Sequence, residues 1–283
     1  MPLNPEITDW KGKTVWIIGA SSGIGEQTAR LLLLKGARVA LSARTVTSLQ
    51  SLAESVSPEA TLIAPMDITQ PKEVEQALGA IQAEWDTPDL TLVVAGTYQE
   101  MRAWDFDREA ASKLLDINLN GPLNVLEVLL PKLLKRASGG IGMVASVAGY
   151  RGLPKALIYG ASKAALINLT ETLYFDLAPK GISVYLINPG FVDTPLTKNN
   201  KFSMPDLMTP QDAAKALVKG LEAGEFEITF PKSFVRKMKL AQLLPYKQYF
   251  AAVHRSTQLW VSRPSFYGYT TLMGALEPVK PAR

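Results

Sequence analysis

The sequence predicts a doubly wound α/β fold, a mostly parallel sheet with helices on both faces and a helical appendage at its C-terminal end. Three observations predict it. Over the first 190 residues, short β-branched runs alternate with longer amphipathic stretches, the rhythm of right-handed strand–helix–strand crossovers. The runs are apolar on both faces, as strands buried under two helical layers must be. A glycine-rich turn joins the first run directly to the first amphipathic stretch.

The elements follow in order. Thr14–Ile18, Arg38–Leu41, Thr61–Ala64, Leu90–Val94, Gly142–Ala145 and Ser183–Ile187 read as strands, because they are short, apolar and bounded by turn residues. Ile24–Lys35, Val46–Ser55, Pro71–Trp85, a pair within Glu109–Lys135, and Leu157–Pro179 have helical periodicity. After Asn188 the pattern loosens. Pro189–Pro210 reads as a long lid or binding loop carrying Phe202, Met204, Leu207 and Met208. Pro210–Ala223 is then helical, Glu225–Phe230 is a short strand, and two or three helical pieces follow from Ser233. We divide the chain into the doubly wound α/β region, 1–230, and a basic helical appendage of the same domain, 231–283.

Composition removes several chemistries. There is no cysteine and a single histidine, His254, which excludes disulfides, thiolate catalysis, thiolate or His-rich metal sites and any two-histidine mechanism; no metal is expected. No stretch reaches 18 uninterrupted apolar residues, so no membrane-spanning helix is expected. The opening MPLNPEITDWKGK has no apolar signal-like core, and a cytoplasmic location is expected. The net charge of +4 is unevenly placed. From Ile228 to Ala275 there is no acid, while Lys232, Arg236, Lys237, Lys239, Lys247, Arg255 and Arg263 are basic.

Gly19-Ala20-Ser21-Ser22-Gly23-Ile24-Gly25 has the properties of a phosphate cradle. Glycines allow the tight turn and let a pyrophosphate approach the backbone, and the helix start supplies free N–H groups and a favourable dipole. The end of the second strand selects the cofactor. An acid there would bind a ribose 2′-hydroxyl and repel a 2′-phosphate. Here Ser42 takes the acid's expected place and Arg44 follows, which favours NADP(H) over NAD, with Ser42 and Thr45 as lesser contacts.

Tyr159 and Lys163 lie four apart on a helix and so share a face. An ammonium beside a phenol stabilises the phenolate and lowers its pKa from about 10, which suits a general acid or base for a carbonyl oxygen. Ser146 ends the fifth strand thirteen residues upstream, at the edge where such sheets bind ligands.

With these motifs, residues 11–230 resemble the short-chain dehydrogenase/reductase family, in its single-domain branch with G-x-x-x-G-x-G and Y-x-x-x-K. The resemblance implies a Rossmann-type fold and hydride transfer between nicotinamide and a carbonyl or secondary alcohol. It makes Tyr159 the proton donor and acceptor, Lys163 the residue that tunes it and binds the nicotinamide ribose, and Ser146 the group orienting the substrate oxygen. Asn118, in Asp116-Ile117-Asn118, resembles the asparagine that holds a water in a proton relay to that lysine. Asp67 resembles the adenine contact, and Ala95-Gly96 half of a conserved turn. Pro189-Gly190-Phe191-Val192-Asp193-Thr194 resembles the loop over the nicotinamide, with Val192 and Thr194 at the carboxamide. The sequence departs from the family twice: Val93-Val94 replace two asparagines that brace the sheet, and Ile18 replaces a threonine.

A homodimer or homotetramer acting on a small carbonyl or alcohol substrate is expected, and the apolar lid points to a hydrophobic one. The alternatives are an NAD-linked alcohol dehydrogenase, a sugar-nucleotide epimerase, whose longer C-terminal domain is missing here, or a catalytically silent cofactor-sensing interaction protein. For the basic segment 231–263 three readings stand: a surface resting on anionic lipid, a substrate cap, or an appendage with a solvated face packing on a second subunit. Nucleic acid is not expected, since no recognition motif accompanies the charge.

Overall fold

The structure is a computed structural model and describes residues 2–198, 200 and 202–257. The tail expectations, including that on Arg263, lie outside the described residues. Two compact units are present, 1–243 and one beginning at Leu244.

In the first unit the described strands form one parallel sheet in the order β3-β2-β1-β4-β5-β6-β7. They are β1 (Thr14–Ile18), β2 (Arg38–Ser42), β3 (Thr61–Ile63), β4 (Leu90–Val93), β5 (Gly140–Val144), β6 (Ser183–Pro189) and β7 (Glu227–Phe230). The helices are α1 (Gly23–Leu34), α2 (Val46–Val56), α3 (Pro71–Trp85), α4 (Arg108–Leu115), α5 (Gly121–Arg136), α6 (Leu157–Leu177), α7 (Pro210–Glu222) and α8 (Lys232–Gln242). The second unit contains α9 (Tyr246–Ser256). The sequence-predicted strands and helices are all present, with shifts of a few residues at their ends.

Alternation along the central strands builds two cores. On β1, Val15 and Ile17 join Leu32, Leu49 and Leu217 in one cluster. Trp16 and Ile18 join Leu78, Ile81 and Leu129 in the other. Every residue of β1 is buried, which explains why this strand reads as a continuous apolar run.

The order reverses between β1, whose chain leads away to β2, and β4 on its other side. At such a switch point the loops leaving the strand ends diverge and open a crevice. The expected helix pair differs in one respect. No loop separates α4 from α5; a π-helical stretch, Asp116–Asn120, joins them. Its wider turn buries Asn118 completely.

Candidate active site

The crevice is a cavity of about 420 Å³ at the C-terminal ends of the strands. At one end lies the glycine turn. Gly19 takes φ +97°, and a Cβ there would stand 2.6 Å from Ala95 N. A Cβ on Gly25 would collide with the Gly19 carbonyl. Only glycine at both positions lets the first turn of α1, the preceding turn and the segment after β4 pack together. Gly19 N and Ala20 N donate to Ser42 O at 2.7 and 3.2 Å, which anchors the turn to β2. Ser22 is the N-cap of α1, yet its hydroxyl caps nothing. The opening N–H groups of the helix therefore face the cavity without a side-chain acceptor, as an anion site requires. Residues and cofactor fit: the cradle would hold a pyrophosphate.

The second strand corrects one expectation. Ser42 is fully buried, donates to Ala64 O at 2.5 Å and accepts from Trp16 Nε1 at 2.8 Å. It points into the sheet and does not line the cavity, so it can make no cofactor contact. Ala43, Arg44 and Thr45 line it instead. The place beside the ribose is thus apolar and followed by an exposed guanidinium. Asp67 lines the same end, its carboxylate accepting from Thr69 N and Thr69 Oγ at 2.9 and 2.8 Å.

At the other end Ser146, Tyr159 and Lys163 meet. Ser146 caps the short turn Val147–Gly149, accepting from Ala148 N at 3.1 Å, and donates to Pro189 O at 3.4 Å. Tyr159 and Lys163 lie on consecutive turns of α6, with Lys163 Nζ 5.8 Å from the Tyr159 ring centroid. The expected lowering of the Tyr159 pKa is not what this geometry produces. Burial pushes the phenol up, a hydrogen bond with Ser146 pulls the other way, and the net direction is upward. Lys163 donates to Val144 O at 2.9 Å, which takes one of the ammonium's three donors and leaves two for the cavity. Burial in turn lowers Lys163 to about 8.

Asn118 stands behind this group and does not line the cavity. Its Oδ1 accepts from Thr97 N at 2.7 Å, and its Nδ2 donates to Thr97 O at 2.9 Å and Ser162 Oγ at 3.2 Å. Those bonds tie the segment after β4 to α6. Val94 N and Ala95 N both donate to Ile18 O at 2.8 Å, through a backbone carbonyl that the missing threonine hydroxyl does not affect.

The remaining expected residues, Ser21, Gly23, Ile24, Gly96, Pro189, Gly190, Val192 and Thr194, all line the cavity. Of the lid residues, Phe202 does, whereas Met204 and Leu207 do not. Further lining residues are Tyr98, which no sequence pattern marks, Phe191 of the expected nicotinamide loop, and Phe234 of the segment for which a substrate cap is one reading. Tyr98 packs edge-on against Tyr159, centroids 5.1 Å apart at 87°, and donates to Lys155 O at 3.3 Å. Phe191 contacts both Phe202 and Phe234 at 6.0 and 5.5 Å. Phe234 comes from α8, so the basic segment contributes to the cavity wall. Glu227 secures that helix: Tyr150 Oη donates to it at 2.5 Å, Asn188 Nδ2 at 3.0 Å, and Lys239 ion-pairs with it. Burial raises the Glu227 pKa, but those donors outweigh burial and the net direction is down. No spacing signal links these residues in sequence.

Fold and site together define a dinucleotide-binding α/β protein with a Ser–Tyr–Lys centre. The short chain dehydrogenase family model matches residues 13–204. An uncharacterized oxidoreductase of Myxococcus xanthus is 34% identical over 245 residues, 86% of this chain and 97% of the relative. One from Staphylococcus epidermidis is 34% identical over 211 residues, 75% of this chain and 91% of the relative. The chain belongs to the short-chain dehydrogenase family and is an oxidoreductase. Solved structures share the fold. A short-chain dehydrogenase from Streptomyces avermitilis has TM-score 0.74 at 21% identity, covering 88% of this chain and 97% of its own. L-sorbose reductase from Gluconobacter frateurii, complexed with NADPH and L-sorbose, has TM-score 0.69 at 24% identity, covering 78% and 95%.

Proposed function

We propose that the protein transfers a hydride between NADP(H) and a carbonyl or secondary alcohol carbon of an apolar substrate. One observation carries the reading: Ser146, Tyr159 and Lys163 converge in the same cavity as an uncapped glycine-rich helix start. The bound cofactor supplies the hydride. Ser21 to Gly25 hold its pyrophosphate, Asp67 meets the adenine, and Ala95 and Gly96 flank its path. Arg44 pairs with the 2′-phosphate; with Ala43 beside it, no carboxylate opposes that charge. Pro189, Gly190, Val192 and Thr194 line the nicotinamide end.

In reduction, Tyr159 gives its proton to the substrate oxygen while Ser146 orients that oxygen by a hydrogen bond. The phenolate left behind is stabilised by the Lys163 ammonium, which also reaches the ribose hydroxyls. A raised phenol pKa keeps Tyr159 protonated and ready to donate at neutral pH, which suits the reductive direction. Asn118 acts as a positioning residue, and we assign it the relay expected of its family counterpart. Tyr98, Leu153, Phe191, Phe202 and Phe234 give the substrate end apolar walls, and burying a charged substituent against them would be costly.

Residues 1–230 form the catalytic region in this proposal, with Phe234 the contribution of the appendage. The large apolar side chains exposed on α5 and α6, Leu123, Leu134 and Phe175, support self-association as a homodimer or homotetramer. We place the enzyme in the cytoplasm; no described helix is long and apolar enough to cross a membrane. The test is a panel of aliphatic and aryl ketones with NADPH and NADH, read by loss of reduced-nicotinamide absorbance. Turnover favouring NADPH is expected. Tight NADPH binding with no turnover on any ketone would favour the cofactor-sensing alternative, and NADH preference the NAD-linked one.

A further inference from the structure

The helix α8 has two unlike sides. Inward, Phe234 lines the cavity and Val235 is buried. Outward, Arg236, Leu240 and Leu243 follow at intervals of four and three with Lys237 beside them, and such spacing puts them on one face. Leu240 is 66% exposed and Leu243 80%. Lys232 and Lys239 are paired with Glu225 and Glu227, but no ion pair among the described residues engages Arg236 or Lys237.

A solvated face mixes both signs of charge and shows few large apolar side chains. Beyond Ser233, which donates to Asp206 Oδ2 at 2.9 Å at the start of the helix, the outer face of α8 carries cations and large apolar side chains, in a stretch without an acid from Ile228 to Ala275. We propose that the outer face of α8 docks on an anionic lipid bilayer. Arg236 and Lys237 meet headgroup phosphates while Leu240 and Leu243 enter the boundary with the acyl chains. A nucleic acid would reward the cations but not bare leucines, and a protein partner would leave Arg236 and Lys237 to find acids. The docking stands apart from hydride transfer and does not depend on it. It also has a consequence for supply: the helix that meets the lipid is the one that walls the apolar cavity with Phe234.

The test is co-sedimentation of the full chain with vesicles of phosphatidylglycerol and phosphatidylcholine in equal parts, against phosphatidylcholine alone. Binding to the anionic vesicles alone is expected, weakening as salt rises. Each basic side chain near such a surface changes partitioning by about fivefold. Arg236→Glu with Lys237→Glu should therefore weaken binding by more than about 25-fold, and Leu240→Ser with Leu243→Ser should weaken it at unchanged charge. Circular dichroism checks that both variants fold; should either fail, the salt dependence and lipid contrast of the unaltered protein decide. No sedimentation with anionic vesicles at low salt overturns the proposal. So does a leucine variant that binds like the parent, which would mean plain electrostatic adsorption. A leucine variant that instead becomes a smaller oligomer, with vesicle binding intact, would show that a second copy covers this face.

Discussion

Replacing Lys163 by methionine should make the protein more stable while ending turnover. Lys163 is 3% exposed, and burial lowers its pKa from 10.5 to about 8. At 1.36 kcal/mol per pKa unit, that drop corresponds to roughly 3 kcal/mol of destabilisation at neutral pH. Methionine fills similar volume without a charge, but it forfeits the charge-assisted bond to Val144 O, worth roughly 1.5–3 kcal/mol. A net gain of about 1 kcal/mol is expected. Its pH dependence follows from the direction of the shift. Between pH 8 and 10.5 the unfolded chain holds the lysine proton and the folded chain does not, so parent stability rises with pH across that window. The advantage of Lys163→Met is therefore full below pH 8 and shrinks as the pH climbs towards 10.5. Urea unfolding of both proteins without cofactor, at pH 7 and pH 9.5, measures it. A variant no more stable than the parent at pH 7, or one whose gain is the same at both pH values, would refute the reasoning.

Three further outcomes are expected. Tyr159→Phe should remove turnover and leave NADPH affinity nearly unchanged, since the ring and its contact with Tyr98 remain; activity above a few per cent of the parent counts against the proton-donor role. Arg44→Asp should move the ratio of NADPH to NADH affinity by about one to two decades, the worth of a charge-assisted contact of roughly 1.5–3 kcal/mol. An unchanged ratio would place Arg44 away from the ribose. Gly25→Ala should abolish NADPH binding measured by fluorescence, because the added methyl meets the Gly19 carbonyl and forces the cradle open; wild-type affinity would mean that the turn takes no part in holding the pyrophosphate.

How much of this was legible in the sequence depends on the range of the interactions involved. Strand and helix identity, the phosphate turn and the Tyr159–Lys163 pair are local. They rest on period, glycine placement and a four-residue spacing, which the backbone converts directly into geometry. Ser146 needed one further rule, that strand ends in such sheets point to the crevice, and it lines the cavity as that rule requires. What tertiary structure decided is which of two faces a side chain takes and what it meets there. Ser42 and Ala43 are neighbours, yet the pleat turns one into the sheet and leaves the other at the cavity. Phe191, Phe202 and Phe234 come from three segments and adjoin only once β6, β7 and α8 have packed. The Lys163 and Tyr159 pKa directions were beyond the sequence for the same reason. Spacing places the two groups together, but desolvation by the surrounding fold determines what their charges cost.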